Sequence, residues 1–492
     1  MAREKLVTAE EVQKHSSASD CWLVIDGHVW DFTEFAPEHP GGAGIIHHYA
    51  GKDATTAYNS IHTPLLLPVT LASSKHIGKL EDPSNTLPTA LLNPPQTCPP
   101  HLSPTTKPPL HTLISSNDFE AIASRTLAAK TWAFYSSAAT DLISYKANIH
   151  AFDRIWWRPR ILRNVRDVNT KTQILGCEAA VPFFVAPAAI AKLVHEEGEK
   201  AIARACGRRG VVQCISTNAS FPVAEIVPTA PPFYPFFFQL YVNKDRESSA
   251  RLLRSFAMLP TRPIRAIFVT VDAPVPGKRE ADERVRADES LSTPMSGVQA
   301  KNDAKGGGLG RTMAGYIDAT LSWEDLEWLK EVTDLPIVLK GVMCAADAMM
   351  AVEYGVQGIV LSNHGGRNLD TSPPAIHTLL ELHLNCPHIF DSLEVLLDGG
   401  IRRGTDILKA LCLGATAVGI GRPFLYALNY GQEGVEHYID IMKDELEVAM
   451  RLVGITDLAQ CHPGLMITFE IDHLIPRGEE HPYAKKRVRS KM

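Results

Sequence analysis

The chain has 492 residues, of which 45% are hydrophobic and 21% charged, with a net charge of −6 and nine cysteines. It is too long for one ordinary domain, its balance is that of a globular protein, and it lacks the basic excess that would argue for nucleic acid. The cysteines are scattered with no CxxC pair, so neither a disulfide framework nor a zinc site is suggested; a reducing compartment fits, with small molecules or proteins as partners.

The N-terminal MAREKLVTAEEV has no apolar signal-type stretch, and Glu4, Glu10 and Glu11 argue against a transit peptide. Residues 1–80 form a first block rich in histidine and aromatic residues. Within it, FAPEHPGGAGIIHHYAGKDATTAYNSIHTP sets His39 and His62 23 residues apart, each at a turn among apolar residues. Two imidazoles converging on one plane from opposite sides would hold a haem iron. The alternative is a histidine-rich surface, since His15, His28, His47, His48 and His76 lie in the same block. Residues 81–114 are rich in proline and predict an extended, semi-rigid linker.

From 115 to 475, short β-branched or aromatic runs alternate with amphipathic helical stretches such as HEEGEKAIARACGRRG. The runs are FFVAP (183–187), VVQCI (211–215), FFFQLY (236–241), AIFVTVD (266–272), PIVLKG (336–341), GIVLSN (358–363), EVLLDGG (394–400) and AVGIG (417–421). Eight continuous apolar runs of this kind predict an α/β fold, a (β/α)8 TIM barrel of buried parallel strands. The most apolar stretch, 226–242, contains four prolines and a glutamine and is no membrane span. Between the fourth and fifth runs, residues 290–318 are rich in Gly, Ser and charge and predict a mobile lid over the barrel mouth. Its GGGLG does not connect a strand to a helix, so it is not read as a nucleotide loop.

Barrel chemistry collects at the C-terminal ends of the strands. That rule selects Gln239 and Tyr241 on the third run, Thr270 and Asp272 on the fourth, Lys340 on the fifth, and His364 with Arg367 after the sixth. The last two turns, DGGIRRG (398–404) and GIGRPF (419–424), pair glycines with Arg402 and Arg422 where barrels commonly bind phosphate, and so predict a phosphate-bearing cofactor. Glycines that merely close tight turns are the alternative. Residues 476–492 form a basic tail ending Ser490-Lys491-Met492, one conservative change from a peroxisomal Ser-Lys-Leu address, so a peroxisomal or cytoplasmic location is expected.

In the first block, CWLVIDGHVWDFTEF, HPGG, AGKDAT and the second histidine resemble the cytochrome b5-like haem domain over about residues 5–80. The resemblance implies haem b with His39 and His62 as axial ligands, leaving iron no open site, and electron transfer one electron at a time. In the barrel, SNHGGRNLD, VTVDAPVPGKRE, QLYVNKDR and LLDGGIRRGTDILKALCLGATAVGIGRP resemble the FMN-dependent α-hydroxy acid oxidase and dehydrogenase family. The two modules together resemble the fungal flavocytochrome L-lactate dehydrogenases.

This resemblance implies that Ser216, Gln239, Thr270 and Lys340 bind the flavin of FMN, near the backbone of Ala188 and Ala189. Asp398, Gly400, Arg402, Gly421 and Arg422 would hold its phosphate end. Arg279 and Arg367 would grip a substrate carboxylate with forked hydrogen bonds, Tyr241 would bond the substrate hydroxyl, and His364 would take a proton from C2 or from the hydroxyl, its imidazolium stabilised by Asp272. It also implies a homotetramer and a cytochrome c-like electron acceptor. Two positions depart from the family pattern. In FYSSAATD, Phe134 stands where a carboxylate-binding Tyr is usual, which predicts a weaker substrate grip, and Asn218 stands where relatives carry a bulky apolar residue, which admits a polar substituent or else a solvent-facing turn.

Three functions follow. The first is oxidation of an L-2-hydroxy acid to the 2-oxo acid, with electrons leaving through haem. The second is a peroxide-forming oxidase, for which a haem module is unnecessary. The third is a haem carrier tethered to a barrel that no longer turns over.

Overall fold

The computed structural model describes residues 5–39, 42–59, 67, 70–81 and 106–478, and the chain folds as two units that divide between His101 and Leu102. The N-terminal unit is a small α+β fold. Its sheet runs, in spatial order, Leu6–Val7, His76–Leu80, His28–Asp31, Asp20–Ile25 and Ser16–Ser17, with Lys52–Asp53 added in parallel to Asp20–Ile25. The central hairpin turns on Asp26-Gly27, both at positive φ (51° and 76°), the sequence that a two-residue hairpin of this twist selects. Because side chains alternate along a strand, Leu23 and Ile25 pack with Phe32, Ile46, Leu67 and Leu71 on one face. Val24 and Val29 pack with Val7, Val12 and Leu80 on the other.

The second unit is the expected barrel, closed and parallel. Its strands are β1 Phe183–Val185, β2 Gln213–Ser216, β3 Phe236–Leu240, β4 Ile264–Thr270, β5 Ile337–Val342, β6 Gly358–Leu361, β7 Glu394–Asp398 and β8 Ala417–Ile420, with β8 pairing back to β1. The strands read as continuous apolar runs because both faces are buried: outward residues such as Ile267 and Val269 meet the helices, and inward ones such as Phe237 and Phe268 fill the interior. A hairpin, Thr172–Ile174 with Cys177–Ala179, plugs the end where the strands begin. Ile174, Cys177 and Ala179 join the interior cluster, and the Leu175 amide donates to both carboxylate oxygens of Glu394 at 2.9–3.0 Å. The opposite end is left open for the site.

Two expectations are corrected here. The proline-rich stretch is not all linker: residues 106–114 belong to the barrel unit, where Leu113 is buried, its carbonyl accepts from His437 Nε2 at 2.8 Å, and Pro108 O accepts from the Tyr430 hydroxyl at 3.0 Å. Apolar burial overrides what composition alone suggests. The tail likewise begins attached, since Asn385 bonds Pro476 O and the Gly478 amide at 3.0 and 2.9 Å. The rest of the expected linker and tail, including Ser490-Lys491-Met492, lies outside the described residues.

Candidate active site

The site grows from the period of two. Directly above the apolar interior layer of Cys214, Phe237, Phe268, Val338, Val360 and Leu396, the residue two positions on in each strand is Ser216, Gln239, Thr270, Lys340, Ser362 and Asp398. Register sets them side by side: Ser216 is opposite Gln239, and Thr270 opposite Lys340. Hydrogen bonds then lock the layer. Ser216 Oγ donates to Gln239 Oε1 at 3.0 Å, and Gln239 Nε2 donates to Thr270 Oγ1 at 2.9 Å. Lys340 Nζ lies 3.0 Å from Asp398 Oδ2 and donates to Ser362 Oγ at 3.1 Å, while Ser362 donates to Asp398 Oδ1 at 2.5 Å. Although burial alone would lower it, the charges of Asp398 and Asp272 hold the Lys340 ammonium well above its ordinary range, so it is a fixed cation.

Above this layer stands the expected base. His364 Nδ1 lies 3.0 Å from Asp272 Oδ1, and its Nε2 is 3.3 Å from the Tyr241 hydroxyl. With Asp272 accepting at Nδ1, Nε2 carries the lone pair that can receive a proton. Burial is the largest influence on the ring and takes its pKa below the ordinary 6.5, with Asp272 acting in the opposite sense. Burial also raises the Tyr241 phenol, keeping it a hydrogen-bond donor. The two glycines after His364 are required by the turn: His364, Gly365 and Gly366 have φ of 58°, 61° and 73°, and a Cβ on Gly366 would meet Tyr145 N at 2.6 Å. Holding a histidine in the left-handed region is a strain that aims its ring into the cleft.

Arg279 and Arg367 flank His364. Arg279 Nε donates to Arg367 O at 3.3 Å, and Arg367 Nη1 donates to Phe134 O and Ser137 O at 2.9 and 3.0 Å. Helix Ala129–Ser136 ends there, and its last carbonyls have no partner within the helix, so they seat a cation. Arg422 uses the same shelf, donating to Tyr135 O at 2.8 Å and Ser137 O at 2.9 Å. Among the described residues neither Arg367 nor Arg422 has a carboxylate partner. Burial, reinforced by Arg279 and Arg422, presses the Arg367 guanidinium well below its ordinary range, which is the electrostatics of a site made for anions. Phe134 has no phenol to offer; its ring lies 5.3 Å from the Arg367 guanidinium.

All the expected barrel residues except Asp272 line one cleft, including Ala188, Ala189, Gly400 and Gly421. Asp272 stands behind His364. Two of these residues also have partners within the protein. Asp398, expected at the phosphate end, lines the cleft with its carboxylate held by Lys340 and Ser362 in the polar layer. Arg402 is shared: Glu120 pairs with it and the Tyr145 hydroxyl accepts from its Nη2 at 2.8 Å, so Arg422 is the cation of that end without a carboxylate partner. The cleft suits FMN. A buried lysine, an amide and two hydroxyls stand at the floor, a cation without a carboxylate partner stands at one end, and a Cβ added at Gly421 would meet nothing closer than Ala186 Cβ at 3.9 Å.

Sequence reasoning missed Ser362, which also accepts from the His364 amide at 3.0 Å, and Asn368, whose Nδ2 donates to Asp272 O at 2.9 Å. Two-residue spacing from Val360 would have found the first. The lid is anchored rather than bare. It carries a hairpin, Ser292–Thr293 with Val298–Gln299, and Lys130 Nζ donates at its base to Asp282 O, Asp282 Oδ1, Val285 O and Gly307 O at 2.5–2.9 Å.

In the N-terminal unit, His39 Nδ1 lies 3.3 Å from Gly42 O, and the Phe35 ring packs 5.9 Å from the imidazole. Donation from Nδ1 to a carbonyl puts the metal-binding lone pair on Nε2, and the apolar cluster of Phe32, Ile46, Leu67 and Leu71 suits a haem face. His62 lies outside the described residues.

Comparison with known proteins gives the same division. Residues 123–468 match the FMN-dependent dehydrogenase family, and residues 8–81 the cytochrome b5-like heme/steroid binding domain. The L-lactate dehydrogenase (cytochrome) of Saccharomyces cerevisiae is 43% identical over 95% of this chain and 80% of its own length. That of Wickerhamomyces anomalus is 39% identical over 98% and 84%. Glycolate oxidase of Spinacia oleracea is 40% identical, over 70% of this chain and 93% of its own. A flavocytochrome b2 variant structure superposes with a TM-score of 0.66 at 42% identity, covering 77% of this chain and 93% of that one.

Proposed function

From the premise that the chain belongs to the FMN-dependent dehydrogenases, with a cytochrome b5-like domain ahead of its barrel, we propose that it oxidises an L-2-hydroxy acid of the lactate type and passes the electrons through haem b to a cytochrome c-like acceptor. FMN, held by the polar layer and Arg422, would supply a two-electron acceptor able to give electrons up singly, and haem b, held through His39, would supply a one-electron carrier. The chain's own residues do the rest. Arg279 and Arg367 bind the substrate carboxylate; Arg367 is pre-oriented because its Nη1 is already committed to the helix end. Tyr241 donates to the substrate hydroxyl, and His364 Nε2 receives the proton the substrate gives up. Asp272, at Nδ1, holds the ring's tautomer and stabilises the imidazolium. Lys340 supplies a fixed positive charge beneath the reacting centre.

The carrying observation is the unbroken chain Asp272–His364–Tyr241 beside two arginines. It argues against a decayed barrel, because an inactive site has no need to hold a strained histidine between two partners. The oxidase reading is not favoured. Glycolate oxidases match 70–72% of this chain, whereas the cytochrome-type dehydrogenases match 95–98% of it.

The test is an anaerobic absorbance spectrum before and after addition of L-2-hydroxy acids including lactate and glycolate. Flavin bleaching followed by reduced-haem bands is the expected result. Bleaching without haem reduction would sever the proposed electron route.

A further inference from the structure

Beside Tyr241, the wall of the cleft is made by the residues that follow Ser216 and by the segment 309–317. Thr217 is spent on the scaffold: its hydroxyl donates to Gln239 O at 2.7 Å and accepts from the Tyr241 amide at 3.1 Å. Asn218 comes next. It lines the cleft with only 5% of its surface exposed, so it is not a solvent-facing turn residue. Its backbone is fixed, the amide donating to Ser216 Oγ at 3.1 Å and the carbonyl accepting from the Ile190 amide at 2.9 Å. Its side chain is fixed as well, because the Tyr316 hydroxyl donates to Asn218 Oδ1 at 3.1 Å. The group left over is Nδ2, which has no hydrogen-bond partner among the described residues and borders the cleft. Met313 and Ile317 frame the same wall.

A donor in that position discriminates. An alkyl substituent pressed against Nδ2 would leave a desolvated N–H unpaired, whereas an oxygen acceptor would satisfy it. A second carboxylate would instead compete for Arg279 and Arg367, the same cations that the first requires. Resting on the reading above, that this cleft oxidises L-2-hydroxy acids, we propose that its substrate carries a neutral oxygen acceptor, a hydroxyl or a carboxamide, on the carbon chain beyond C2. Asn218 is the specificity determinant, and Tyr316 is the residue that positions it.

The experiment compares near-isosteric pairs on the full chain with both cofactors. The pairs are L-glycerate against L-2-hydroxybutyrate, which exchanges hydroxyl for methyl, and L-2-hydroxysuccinamate amidated at C4 against L-2-hydroxy-4-methylpentanoate, which exchanges carboxamide for isopropyl. Stopped-flow flavin bleaching gives kcat/KM, and calorimetry gives Kd for the matching 2-oxo acids. The polar member of each pair is expected to lead by about tenfold or more in both measurements. Asn218→Leu reverses the order, Asn218→Asp, close in volume but without the donor, abolishes the preference, and Tyr316→Phe narrows it by freeing the amide to turn. Should Asn218→Leu not fold, the aspartate variant decides. A wild-type preference for the alkyl members, or an unchanged ratio in the Asn218 variants, overturns the proposal while bleaching itself upholds hydroxy acid oxidation. No bleaching by any of the four acids or by L-lactate overturns the functional reading, and the proposal with it.

Discussion

Burial and Asp272, acting in opposite senses, set the pH range in which His364 would work as the proposed base. The ring must be neutral to accept a proton, and burial already places its pKa below 6.5, so activity is expected to fall only on the acid side of that value. Asp272 raises the ring's pKa against burial. Removing its charge in Asp272→Asn should therefore move the acid limb of kcat/KM to lower pH, while the plateau falls by about 10²-fold or more because the imidazolium loses its counter-charge. An acid limb that moves upward would contradict the assignment. At this scale much of the site was legible before the fold. Gln239, Lys340 and His364 are polar residues at the ends of apolar runs, where burial without a task is costly. Ser362 was not, because serine beside a glycine turn looks ordinary until the alternation is counted from Val360. The pairing of Asp398 with Lys340 was not legible either: the glycines around it advertise phosphate, and only the folded barrel brings its carboxylate 3.0 Å from the lysine. The Glu120 partner of Arg402 stands 282 residues away and leaves no local signal.

Among elements, the segment between β4 and β5 is where sequence and structure part most. Its composition predicted a loop free to move, yet it is tied to helix Ala129–Ser136 through one lysine. Lys130 enters a nest of backbone carbonyls around Asp282, which also accepts from the Gly310 amide at 2.9 Å. Such contacts join residues more than 150 positions apart, and no pattern within the segment encodes them. Lys130→Met leaves Asp282 as a buried charge without its cation, a loss of about 3–5 kcal/mol by analogy with other buried pairs. Limited proteolysis should then cut within residues 290–312 at a rate that the wild-type chain does not show. Equal resistance in both proteins would mean that the remaining ties, Arg311 with Glu283 and Asp303, hold the segment by themselves.

For the whole molecule, the two-unit plan and the eight-strand count were readable because parallel strands buried on both faces cannot hide their apolar runs. The boundary was less readable: proline content announces an extended chain but not the surface on which residues 106–114 come to lie. The division of labour makes a separable prediction. His39→Ala should remove the haem absorbance yet leave flavin bleaching by substrate intact, and reduction of cytochrome c should fall to a small fraction of the wild-type rate. If bleaching is lost as well, the units are not independent in the way their separate cores imply. Closing the barrel also brings the turns after β6 and β8 to a single helix end, where Arg367 and Arg422 share the carbonyl of Ser137. The proposed carboxylate seat and phosphate seat therefore draw on one piece of backbone. Occupancy at either end stiffens the footing of the other, and equilibrium linkage makes that help mutual: stripped of its nucleotide, the protein should hold 2-oxo acids less tightly, and by the same factor by which those acids tighten the nucleotide's own binding.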